Sequence, residues 1–166
     1  MKEKLIALLS GSPHEITTIV LAMAPISELR GAIPYAITIG NMPWQEAYVI
    51  AVISNFIPVI FILHWIGPVS EYLRRFSNFD RFFNWLFART RRRGKMIERF
   101  EIIGLILFVA IPLPITGAWT GSLAAFLFGV RKRVAYPAIF VGIMIAGVVV
   151  TLASVGVIKL WGVAGG

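Results

Sequence analysis

The chain has 166 residues, a length that suits one domain, and 58% of them are hydrophobic while only 14% are charged. A soluble domain sits nearer half apolar and a quarter charged, and here long stretches carry almost no charge, which is the pattern of a bilayer-embedded chain. The net charge of +8 does not point to nucleic acid, because nine of the sixteen basic residues fall between Arg74 and Arg99, where they read as topogenic charge facing the cytoplasm and anionic lipid.

In chain order, Met1 to Ser12 holds Lys2, Lys4 and the short apolar run LIALL, too short for a signal-peptide core, and reads as an interfacial helix. Four apolar blocks follow. The first, 16–40, is interrupted by Pro25, Glu28, Arg30, Gly31 and Pro34. The second, 45–66, is continuous apart from Pro58 and is long enough to span, since a spanning helix needs about 20 apolar residues. A basic linker, 68–100, carries Tyr72, Phe76, Phe79, Phe83 and Leu86 at spacings of four and three, an amphipathic helix with one aromatic and one basic face. Its cations Arg74, Arg75, Arg81, Arg91, Arg92 and Arg93 are candidates for the lipid surface.

The third block, 102–130, is broken at Pro112-Leu113-Pro114, and Gly117 and Gly121 follow. Two prolines remove two backbone donors and disfavour helix just before each of them. The arms on either side have about ten residues and reach about 15 Å, half the hydrocarbon thickness. The fourth block, 134–160, is continuous. Arg131-Lys132-Arg133 follows block three and the basic linker precedes it; both clusters stay on the cytoplasmic face only if the block enters and returns.

The two halves, 1–67 and 101–166, share an order of elements. Gly31-Ala32 corresponds to Gly117-Ala118, and Ala47-Tyr48 to Ala135-Tyr136. The expected fold is therefore a single all-α integral membrane domain built from two inverted repeats. Each repeat is a re-entrant helical hairpin followed by a transmembrane helix, and an amphipathic cytoplasmic linker helix joins them. Inverted repeats with broken helices are a recurrent transporter design with a site near the midplane.

Glu28 is the only acid well inside an apolar block, and Arg30 lies two residues away. A charge at mid-bilayer costs about 2.5–3.5 kcal/mol on insertion scales, so two in one block call for a reason. On a regular helix positions two apart do not face each other; in an unwound tip they pair or both point into a cavity. The functional reading has Glu28 binding a proton or a cationic cargo; the structural one is an ion pair that satisfies broken backbone. In the second tip, Pro112, Pro114, Thr116, Gly117 and Thr120 offer exposed backbone and hydroxyls to an anion, or else Gly117, Gly121 and Ser122 simply pack helices closely. Asn55, mid-span beside Pro58, needs a hydrogen-bond partner. His14 and His64 lie near helix ends and read as interfacial.

The chain has no cysteine and one aspartate, Asp80, in the linker. No cluster has metal-ligand spacing and no nucleophile motif is present, so neither an enzyme nor a cofactor is expected. Two segments, ISELRGAIPYAI (Ile26 to Ile37) and FVAIPLPITGAWTGSLAAFLFG (Phe108 to Gly129), resemble the small multi-drug export protein family of prokaryotes. The architecture is also similar to the DedA/VTT superfamily, whose members have paired re-entrant hairpins and include lipid scramblases and polyprenyl-phosphate translocases. By that likeness Glu28 corresponds to the embedded acid of the first hairpin and Pro112 to the proline of the second. The arginines that usually flank that proline are replaced by Ala110, Ile111, Ile115 and Thr116.

These features imply proton-coupled export of a small amphipathic molecule or lipid through a midplane site, with Glu28, Arg30, Pro34, Asn55, Thr116 and Thr120 among its residues. The alternatives are an energy-independent lipid scramblase or polyprenyl-phosphate translocase, and a non-transporting membrane scaffold. Expected partners are membrane lipids, the cargo, protons and a second copy of the chain in a homo-oligomer, in the plasma membrane.

Overall fold

The computed structural model describes residues 13–73, 98–112 and 116–164. The N-terminal segment, the aromatic stripe beyond Tyr72, the six arginines proposed for the lipid surface and Leu113-Pro114-Ile115 lie outside the described residues. Within them the chain is helical: α1 (His14–Met23), α2 (Glu28–Thr38), α3 (Trp44–Leu73), α4 (Glu98–Ala110), α5 (Ala118–Leu127) and α6 (Lys132–Ala164). The same order occurs twice: two short helices separated by a break, then one long helix. The four short helices have 10, 11, 13 and 10 residues. At 1.5 Å per residue none of them spans the roughly 30 Å hydrocarbon layer. The 30 residues of α3 and the 33 of α6 exceed it.

Both long helices are apolar enough to cross a membrane. They also carry large apolar side chains on the outside: Val49, Ile53, Phe61 and Trp65 on α3, and Ile145, Val148, Val149 and Leu152 on α6 are exposed. Monomers in water keep such surface to small patches, whereas acyl chains solvate it at no cost.

The chain divides into two compact units, one of residues 1–55 with 146–166 and one of residues 56–145. In the first unit α1 and α2 pack on each other. Their contact is made of small or β-branched side chains, with Ala22, Ala32, Ile33 and Ala36 all fully buried. Small residues let helices approach closely, which matters where lipid removes the usual hydrophobic drive. The turn after α2 places Asn41 in the left-handed region at φ 49, and the Met42 N–H donates to the Ala36 carbonyl at 2.9 Å. Ala36, Met42 and Ala47 then form a small core. Gly147 of α6 lies so close to α3 that an added Cβ would stand 2.8 Å from the Tyr48 ring.

In the second unit α4 packs against α5. Val109 of α4, 1% exposed, is wedged between Gly121 of α5 and Gly142 of α6. The β-branched valine fills the space that the two missing side chains leave. Within this unit α3 and α6 run antiparallel: the Phe56 ring stacks edge-on against Phe140 at 5.0 Å, and farther along Lys132 Nζ donates to the His64 carbonyl at 3.4 Å. That last contact bears on a difference from the sequence reading, in which the apolar block closes at Ile66. Pro68 has no N–H to return to the His64 carbonyl. Lys132 supplies the missing donor, Ser70 Oγ donates to the Gly67 carbonyl at 2.7 Å, and the helix continues to Leu73.

The α5 helix ends as its sequence dictates. Gly129 takes φ 69, its N–H donates to the Phe126 carbonyl at 3.0 Å, and the Val130 N–H donates to the Ala125 carbonyl at 2.8 Å. This paired return is the Schellman arrangement, which favours glycine because no Cβ is present to clash.

Candidate functional site

The first break is set by Pro25. A residue before proline is pushed out of the helical region, and Ala24 is extended at ψ 134, ending α1 at Met23. The chain then closes a tight turn. Ser27 Oγ donates to the Leu21 carbonyl, and the Glu28 N–H donates to the Ala24 carbonyl at 3.0 Å. Glu28 itself adopts φ 45, a left-handed conformation that costs an L-residue about 1–2 kcal/mol. Gly31 sits over the turn: its N–H donates to the Ser27 carbonyl, and an added Cβ would lie 2.7 Å from Ser27 Cβ.

This backbone places a carboxylate inside the protein. The Glu28 side chain is 7% exposed, and its Oε2 stands 3.7 Å from Nη2 of Arg30, whose side chain is 23% exposed. At that separation the contact is a Coulombic pair rather than a direct hydrogen bond. Glu28 is also the first residue of α2, where the helix dipole favours a negative charge. One turn beyond Arg30, Pro34 lacks the N–H that would return to the Arg30 carbonyl.

Asn55 belongs to the same unit. It is 1% exposed, and its Oδ1 has no hydrogen-bond partner. Pro58 removes the donor that would reach the carbonyl of neighbouring Ser54. The hydroxyls of Thr17 and Thr151, also in this unit, are buried and unpartnered as well. An unpaired buried polar group costs about 1–3 kcal/mol, and native proteins keep few of them. Sequence reasoning missed both threonines; the signal was a hydroxyl within an otherwise apolar helix.

The second break lies in the other unit. The Ile111 N–H closes α4 by donating to the Leu107 carbonyl at 3.1 Å, with Pro112 next. Thr116 Oγ1 donates back to the Ile111 carbonyl, spanning the gap. Gly117 takes φ 154 and ψ −168, a region open essentially to glycine alone, and starts α5. The Thr120 hydroxyl reaches the Gly117 carbonyl at 3.4 Å. Both threonine hydroxyls therefore bond to backbone here. The structure thus brings Glu28 and Arg30 together and groups Pro34 and Asn55 with them in the first unit, while Pro112, Thr116, Gly117 and Thr120 are in the second. His14 and His64 are exposed: His14 Nδ1 is 3.2 Å from the Tyr35 hydroxyl, and the His64 ring is edge-on to Trp65.

Among known protein families, residues 28–149 match the one described as "Putative small multi-drug export protein". The chain belongs to this family. The matched stretch begins at Glu28 and takes in α2 to α5 and most of α6. No curated protein and no solved structure matches the chain. Family and helices agree on a membrane protein, and the family description adds multi-drug export as its theme.

Proposed function

We propose that this protein exports a small amphipathic molecule across the plasma membrane in exchange for protons, with Glu28 as the proton-carrying group. The observation that carries the reading is the pair of a buried Glu28 and a partly exposed Arg30 at a helix break, 3.7 Å apart in an otherwise apolar stretch. Ionisable groups at membrane depth are functional by default, because each one adds several kcal/mol to the cost of insertion. Protonation of Glu28 cancels its attraction for Arg30 and leaves a net positive charge; deprotonation restores a neutral pair. Cationic cargo and a proton then compete for one carboxylate, which is the minimal chemistry of exchange. The unpartnered oxygens of Asn55, Thr17 and Thr151 in the same unit provide further acceptors for water or for the polar end of a cargo.

In this reading α3 and α6 cross the bilayer, and each pair of short helices enters and returns on the face it started from. The basic linker and Arg131–Arg133 then lie in the cytoplasm. The family description supports export, and the half-span length of the four short helices supports re-entry.

The test is transport by purified protein in liposomes carrying a pH gradient, with a fluorescent organic cation as cargo. Wild type is expected to accumulate the cation as the gradient dictates. Glu28→Gln, which keeps the shape and removes the titration, is expected to lose at least about tenfold of gradient-driven flux. Gradient-driven flux that survives in Glu28→Gln removes Glu28 from the mechanism. Lipid flip-flop in wild type without any gradient replaces this reading with scrambling.

A further inference from the structure

In the second unit an open groove of about 300 Å³ runs between α4 and α5, lined by Gly104, Leu105 and Phe108 on one side and Ala124, Phe128 and Val130 on the other. Its wall is almost wholly hydrocarbon. The volume lies at the bottom of the roughly 300–1,000 Å³ range of small-molecule sites, so it holds a single chain rather than a whole amphipathic cargo.

Gly104 is the informative residue. It sits inside helix α4, where glycine is disfavoured relative to alanine. Close helix packing justifies Gly121 and Gly142, but a Cβ added at Gly104 would meet nothing within 4 Å. What the missing side chain does is keep the groove open.

Val130 lines the groove, and the next three residues along the chain are Arg131, Lys132 and Arg133, all exposed. They open α6, whose N-terminal N–H groups and dipole add to the positive potential. Lys132 gives one donor to the His64 carbonyl and keeps two others. An apolar slot with three consecutive cations directly following one of its lining residues matches one ligand class, an amphiphile with an anionic head.

We propose that the α4–α5 groove is a binding site for an anionic phospholipid, with part of one acyl chain beside Gly104 and the phosphate on Arg131–Lys132–Arg133. The site shares no residue with the break that carries Glu28, and it stands whether or not this protein exchanges protons.

The test is lipid retention by the purified protein in mixed micelles of phosphatidylglycerol and phosphatidylcholine, read by native mass spectrometry. Wild type is expected to retain phosphatidylglycerol in clear preference. Gly104→Leu fills the slot; each methylene excluded lowers affinity about fourfold, so retention falls by more than tenfold with the circular dichroism spectrum unchanged. Gly104→Ala, which fits the open space, keeps the fold and gives a smaller loss in the same direction. Replacing Arg131, Lys132 and Arg133 by Gln abolishes the preference for phosphatidylglycerol, about fivefold per cation, while both lipids still bind weakly. Equal retention of the two lipids by wild type overturns the proposal. So does retention unchanged in both Gly104 variants, or a Gly104→Leu effect on oligomeric mass alone, which would assign the groove to a second copy of the chain.

Discussion

Replacing Gly142 by Ala tests whether the wedge of Val109 between two glycines holds the second unit together. A Cβ at position 142 would stand 2.7 Å from Val109 Cβ, 2.9 Å from Val109 Cγ1 and 2.9 Å from the Ile106 carbonyl oxygen. Val109 cannot turn aside, because its χ1 is restricted by branching and its other methyl already faces Gly121. The carbonyl is backbone and moves only with α4. Overpacking of this kind costs about 1–3 kcal/mol, and two rigid neighbours place it in the upper half of that range. Better helix propensity returns about 1 kcal/mol. The net expectation is a loss of about 1–2 kcal/mol, or about 3–6 °C in the melting temperature for a chain of this size. Melting of the detergent-solubilised protein, followed by loss of the monodisperse peak, reads it. Val109→Ala alone loses about 2 kcal/mol through the cavity. The double variant is expected to be better than the sum of the two, because the new methyl enters the space the valine vacated. A Gly142→Ala protein as stable as wild type, or strictly additive losses, refutes the wedge.

The left-handed conformation of Glu28 separates Glu28→Gly from Glu28→Ala: both lose the carboxylate, but glycine tolerates φ 45, so the glycine variant melts as if about 1 kcal/mol more stable. Gly31→Ala forces Ser27 aside and is expected to lower stability by about 1 kcal/mol or more, and Ser27→Gly in the same chain restores most of the loss; no restoration would mean that the contact at 2.7 Å is not what holds this turn. Because the chain has no cysteine, single cysteines at Glu98 and Lys132 report topology directly. Both are expected to react with an impermeant reagent from the same side of the membrane, and labelling from opposite sides removes re-entry by the second pair of short helices.

The breaks were readable in the sequence because proline acts locally. Pro25 stiffens Ala24 and Pro112 follows the end of α4, whatever surrounds them. The end of α3 was not readable: the apolar block closes at Ile66, yet the helix runs on past Pro68, where Lys132, 68 positions away from His64, donates to its carbonyl, and no local pattern encodes such a donor. The candidate site divides in the same way. Two charges in an apolar block marked Glu28 and Arg30, because insertion energetics single them out. The left-handed φ of Glu28 and the close approach of Gly31 to Ser27 come from the fold of the turn, and Ser-Glu-Leu-Arg-Gly by itself does not demand them. Gly104 passed as one more small residue in a helix, because its meaning lies in the empty space beside it.

The turn between α1 and α2 has one further implication. Its carbonyls at Leu21 and Ala24 are already occupied, by the Ser27 hydroxyl and the Glu28 amide, so the corner is a braced joint with no slack to swing on. If the carboxylate travels during a working cycle, it travels as cargo on the two short helices moving as one piece. Spin labels placed across α1 and α2 should then keep a constant separation while labels on α3 register the motion.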